Sequence, residues 1–110
     1  MPPPAYTILL ASQADLPSGL TALAPPPEGF RFVVRYIHLQ LPSFSGPIEW
    51  ACSSSVDNVP FAGGVAPISI DNQYIAQTLH AVINSPYSFQ IYVGVAGANL
   101  HVTGYQLSTT

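Results

Sequence analysis

Metal binding or acid–base chemistry in this chain would have to draw on three histidines, five acidic residues and one cysteine among 110 residues. His38, His80 and His101 fall on separate predicted strands, with no His-x-His pair and no acid beside them. A metal-binding jelly roll of the cupin kind needs that local pattern, so no metal is expected. Two carboxylates across a cleft could hydrolyse a glycoside, and Glu49 with Asp57 or Asp71 are the available acids. The sequence does not bring them together, and Asp57-Asn58 and Asp71-Asn72 read as turn residues. "ACSSSV" has three serines but no G-x-S-x-G elbow. "FAGGVAP" lacks the lysine and the following helix of a phosphate loop. Cys52 is the single cysteine, with no disulfide partner and no Cys/His cluster. It shares a strand face with Trp50 and reads as a buried structural thiol. The chain is expected to be a non-enzyme with no cofactor.

The arginines are the second candidate. The chain has two, Arg31 and Arg35, and both lie in "EGFRFVVRYIHLQL". The alternation predicts a strand with Phe30, Phe32, Val34, Tyr36 and His38 on one face. Arg31, Val33, Arg35, Ile37 and Leu39 then take the other. Both faces are largely apolar, so the strand should be covered on both sides. An arginine on a covered face is costly unless paired. At strand rise the two lie about 13 Å apart, too far for one carboxylate to serve both. The arginines must pair with Glu28, Glu49 or another internal acid, or with a partner's carboxylates and carbonyls. At least one is expected to contact a partner, the alternative being that both pair inside the subunit or point to solvent.

Tyr6, Tyr36, Trp50, Tyr74, Tyr87, Tyr92 and Tyr105 could stack on sugars. They fit core or interface positions better, because aromatics favour strands and interfaces.

These residues must be positioned by strands. "YTILLA", "LTALA", the arginine stretch, "IEWACSS", "VAPISI", "YIAQTLHAVI", "YSFQIYVGV" and "LHVTGYQL" read as eight strands between Pro-, Gly- and Asn-containing turns. "YIAQTLHAVI" has helical spacing at Ile75, Leu79 and Val82, but its neighbours are all strands. "SQADLPSG" and "SVDNVPFAGG" are expected as loops and "AGAN" as a hairpin turn. The prediction is an all-β antiparallel β-sandwich with jelly-roll topology and about eight strands. Val34, Trp50, Phe89, Ile91, Val93 and Val102 are expected in its core. Residues 1–5 read as an extended arm and 6–110 as one sandwich domain. Pro2, Pro3 and Pro4 stiffen the arm and supply only carbonyl acceptors, which suits fastening to a neighbour.

Charged residues make up 6% of the chain against about 25% in ordinary domains. Lysine is absent, and the net charge is −3. Nucleic-acid binding needs clustered cations, so neither it nor a polybasic membrane contact is expected. No apolar run approaches the ~20 residues of a spanning helix. The N-terminus has no basic region of a signal peptide. With 48% hydrophobic residues and so little charge, much of the surface is expected to face other protein, in a homo-oligomer.

The order of motifs "PPPEGFRFVVRYIHL", "FAGGV" and "HAVINSPYSFQIYVGVAGANLHVTGYQL", spanning Leu20 to Leu107, resembles small virion proteins of tailed bacteriophages. It is similar to the jelly-roll decoration, or cement, proteins. The resemblance implies a trimer bound to the major capsid protein or other virion proteins and located on the virion. Arg31 or Arg35 would then be an intersubunit or capsid contact. Alternatives are a tail or baseplate component of the same fold, or a carbohydrate- or receptor-binding adhesin module.

Overall fold

In a computed structural model, structure is described for residues 8–42, 47–66 and 73–108. Pro2, Pro3 and Pro4, expected as the fastening arm, lie outside the described residues, as does the expected Asp71-Asn72 turn.

Eight strands run β1 (Ile8–Leu16), β2 (Gly19–Ala22), β3 (Phe30–Leu41), β4 (Ile48–Ser54), β5 (Pro60–Ala66), β6 (Gln73–Asn84), β7 (Phe89–Val93) and β8 (Ala98–Ser108). They form two four-stranded sheets, ordered β1-β8-β3-β6 and β2-β7-β4-β5, with every pairing antiparallel. Apart from the β4–β5 hairpin, successive strands leave one sheet for the other, which is the order produced when two Greek keys fold into a jelly roll. The protein is an all-β sandwich of eight strands. β1 and β2, joined by two residues, form one lateral edge; β5 and β6 form the other.

One core lies between the sheets. Val34, Ile37, Leu39, Leu41, Leu100 and Val102 enter it from the first sheet. Ile48, Trp50, Cys52, Phe89, Ile91 and Val93 enter from the second. Each of these is buried, so the six positions expected in the core all lie there. Sequence explains the pattern: Ile48-x-Trp50-x-Cys52 and Phe89-x-Ile91-x-Val93 put one apolar side chain inward every second residue. β6 does the same, with Ile75, Gln77, Leu79, Ala81 and Ile83 less exposed than their neighbours, and it is a strand despite its helical spacing.

The unbroken alternation expected in β3 does not hold. Val34 opposes Gly104 and Tyr36 opposes Thr103, so Arg35 is an extra residue against β8. On the other side, Leu79 and His80 both fall opposite Arg35, so β6 carries the next extra residue. A bulge shifts the phase of every later side chain. Before it Phe32 and Val34 face the core; after it Ile37, Leu39 and Leu41 do. Ile37 and Leu39 therefore do not share a face with Arg31, and Tyr36 and His38 do not share one with Val34. Two apolar sequence faces are one core face whose phase changes at Arg35.

Three loops also differ from expectation. Residues 12–16, expected in a loop, continue β1, with Asp15 in left-handed geometry (φ 57°) and its amide donating to Asn99 Oδ1 at 2.8 Å. β5 occupies "PFAGGVA", earlier than the expected strand at Val65–Ile70. Its first residue is Pro60, and it is an edge strand, where a missing amide donor is tolerated. The "AGAN" segment is not a hairpin, because β7 and β8 belong to different sheets. Gly97 has φ 102°, whereas Asn99 sits in the extended ladder of β8. The turn at Glu28-Gly29 stands as expected: Gly29 has φ 83° and the Phe30 amide donates to the Pro27 carbonyl at 3.0 Å.

Candidate functional site

The outer face of β1-β8-β3-β6 collects most of the polar and aromatic side chains considered above. Successive rows cross it. Gln40 of β3 lies between Tyr74 and Asn99, His38 between Ala76 and His101, Tyr36 between Thr78 and Thr103, and Arg31 between Asn84 and Leu107. Asn99 Nδ2 donates to Gln40 Oε1 at 3.1 Å, and the Thr103 hydroxyl donates to the Tyr36 carbonyl at 3.4 Å.

Two of the three histidines, on separate strands in sequence, become direct cross-strand partners. The His38 and His101 ring centroids stand 6.4 Å apart, with planes at 60°. Tyr74 stacks on the other side of His38, centroids 5.3 Å apart and planes at 18°. Sequence reasoning missed this pair because the β3–β8 register is a long-range property. It was signalled only by the two histidines lying near matching points of two long strands, β3 and β8.

The arginines separate. Arg35, in the bulge, is exposed and places its guanidinium carbon 5.9 Å from the centroid of the Tyr105 ring, within cation–π range. Arg31 is half-buried, and its Nε is buried with no hydrogen-bond partner among the described residues. Neither makes an ion pair among those residues.

At the β5–β6 edge an open cleft of about 310 Å³ is lined by Ser54, Val56, Asp57, Val59, Pro60, Phe61, His80, Ala81 and Val82. His80 therefore sits apart from the other two histidines. Ser54, Asp57 and His80 share this cleft, but the first two are engaged locally. Ser54 Oγ accepts from the Val56 amide at 3.3 Å and Asp57 Oδ1 from the Val59 amide at 3.0 Å. Asn58, at φ 60°, completes the turn expected at Asp57-Asn58. No hydrogen bond joins the three side chains among the described residues. Glu49 is exposed on β4, and its carbonyl accepts from the Gly94 amide at 2.9 Å.

Cys52 is wholly buried, and burial pushes its thiol up to about 12, which leaves it neutral and unreactive at ordinary pH. Among the described residues no three metal-ligating side chains cluster, and no helix is long and apolar enough to cross a membrane.

Most of the exposed large apolar side chains lie at the lateral edges, with Tyr36, Tyr87, Tyr92 and Leu107 elsewhere. Ile8 and Leu9 lie on β1 and Leu20 on β2, each about half exposed. On the opposite edge lie Val56, Val59, Phe61, Val65, Tyr74 and Val82. Edge strands offer unpaired backbone groups to a partner, and here apolar side chains accompany them. No protein-family model matches the chain, and no curated protein is significantly similar to it. What the geometry offers is binding area: two apolar edges and a sheet face of aromatic, amide and imidazole groups, with four exposed acids and one exposed arginine among the described residues.

Proposed function

We propose that this chain is a non-enzymatic structural protein of a tailed-bacteriophage virion, which decorates or cements the capsid shell as a homotrimer. The observation that carries the reading is the apolar character of both lateral edges. Ile8, Leu9 and Leu20 face outward at one edge and Val56, Val59, Phe61 and Val82 at the other. The two edges differ, so pairing one with the other is a head-to-tail contact, and such contacts close into rings when the rotation allows. The near absence of charge supports the same reading, since a free surface normally mixes charges of both signs. Arg31 adds a buried donor without a partner among the described residues, which a carbonyl or carboxylate of a neighbour would satisfy at the end of β3. Placement on a tail or baseplate would differ only in the partner met.

Two measurements test the proposal. Light scattering of the purified chain at micromolar concentration should give three times the monomer mass. Shells stripped of decoration should then take it up at defined positions under electron microscopy. A stable monomer removes the trimer, and shells that bind none of it remove the capsid role.

A second reading rests on one observation. Tyr74 is 60% exposed and its ring stacks with that of His38, an aromatic surface suited to the apolar face of a sugar. A carbohydrate-binding adhesin would give saturable signals on a glycan array that Tyr74→Ala abolishes.

A further inference from the structure

We propose that His38 and His101 together form a two-imidazole site for a divalent late first-row transition ion, with Cu²⁺ the tightest. The inference is independent of the proposed virion role.

Three features of the outer face lead to it. First, the two residues are direct partners on antiparallel strands, which holds their β-carbons about 4.5–5.5 Å apart on the same side of the sheet. Second, the rings already approach the required spacing. Imidazole nitrogen binds such ions at about 2.0–2.1 Å, which places each ring centroid about 3 Å from the metal and two centroids about 5–6 Å apart. The observed 6.4 Å closes to that value with a small rotation of His101. Third, the rings are free to bind and one is already oriented. Both histidines are exposed, and neither ring makes a hydrogen bond among the described residues. Tyr74, stacked at 5.3 Å, limits the rotation of His38, so less freedom is lost on binding.

The surroundings admit a cation. Ser12 is opposite His101 on β1 and brings a hydroxyl to the same row. On the other flank Ala76 lies opposite His38 on β6, and the Tyr74 ring covers that side of His38, so the ion approaches between the two imidazoles. The nearest guanidinium is that of Arg35, beyond the Tyr36–Thr103 row and drawn toward Tyr105. Asp15 is further along β1, so among the described residues no carboxylate takes part in this row and the two imidazoles are its nitrogen ligands. Imidazole ligands favour copper, nickel and zinc over magnesium or calcium, and among these the order of affinity peaks at copper. With two protein ligands the ion keeps water at its other positions. It exchanges readily and can take a donor from a second molecule.

The test titrates the full chain with Cu²⁺ and reads electron paramagnetic resonance. The expected result is one ion per chain with hyperfine structure from two nitrogens. His38→Gln and His101→Gln should each weaken binding at least tenfold, whereas His80→Gln, in the distant cleft, should leave it unchanged. Ni²⁺ and Zn²⁺ should bind at the same place more weakly, and acidification should release all three because a protonated imidazole does not ligate. On the unsubstituted protein, substoichiometric Cu²⁺ should broaden the ring resonances of His38 and His101 before those of His80. Binding that survives His38→Gln with His101→Gln, or broadening that begins at His80, overturns the site.

Discussion

The α-carbon of Gly104 lies directly against the carbonyl of Val33. A β-carbon at position 104 would overlap the Val33 carbonyl oxygen and stand 3.0 Å from its carbon and 3.1 Å from the Arg35 nitrogen. Those neighbours are backbone, which cannot swing aside. Gly104→Ala should therefore force the β3 bulge or the β8 ladder apart and cost about 3 kcal/mol in urea denaturation. Gly19→Ala makes the comparison. Nothing lies within 4 Å of its added carbon, but φ is 105°, so only backbone strain of about 1–2 kcal/mol applies. Equal losses at the two positions would show that the contact at Gly104 does not determine the β3–β8 geometry.

Trp50 should report the core. It is 6% exposed, and its indole nitrogen lies 3.4 Å from where a β-carbon at Gly64 would be. Trp50→Ala is expected to cost about 3–5 kcal/mol. Iodide should quench its fluorescence far less than it quenches free indole.

Cys52 should give stability a dependence on alkaline pH. Its folded thiol titrates at about 12 against an ordinary 9.0, so the unfolded chain loses the proton first. The folded state then binds more protons, and stability falls as pH rises from about 9 toward 12. Below pH 9 the contribution is fully present. Cys52→Ala should flatten that part of the pH profile. A thiol reagent should modify the native protein no faster than the protein unfolds.

Assembly should be sensitive at both edges and insensitive elsewhere. Leu9→Asp on β1 and Val59→Asp just before β5 each place a charge on an exposed apolar edge. Each should leave the melting temperature within a few degrees of the parent and reduce the scattering mass to that of a monomer. Glu49→Gln, on the outer face of β4, should leave the mass unaltered. If neither edge substitution changes the mass, the edges are not the contact.

Much of the sandwich was legible locally. Ile48, Trp50 and Cys52, and likewise Phe89, Ile91 and Val93, reveal their face because burial follows a period of two. Gly29 reveals its turn because the position requires positive φ. The bulge at Arg35 was not legible, since an extra residue in an apolar strand leaves every side chain plausible on either face. It is fixed by the fit of Gly104, 69 residues away in the chain. β5 was hidden for the opposite reason. Gly63 and Gly64 read as loop residues, yet they lie beside Trp50, whose carbonyl would be 2.8 Å from a β-carbon at Gly63. Of the candidate site, the arginines were visible as types but not as an exposed and a half-buried member. The His38–His101 pair depends wholly on register.

The close approach at Gly104 also bears on how the sheet responds to force. A strand can slide along its neighbour and keep its core face only in steps of two residues. Such a step would bring Val102 or Gln106 to the place of Gly104, and each carries a β-carbon that the Val33 carbonyl excludes. The β3–β8 ladder therefore has a single permitted alignment near the native one. Pulled along its length it does not ratchet; it holds until its hydrogen bonds fail together.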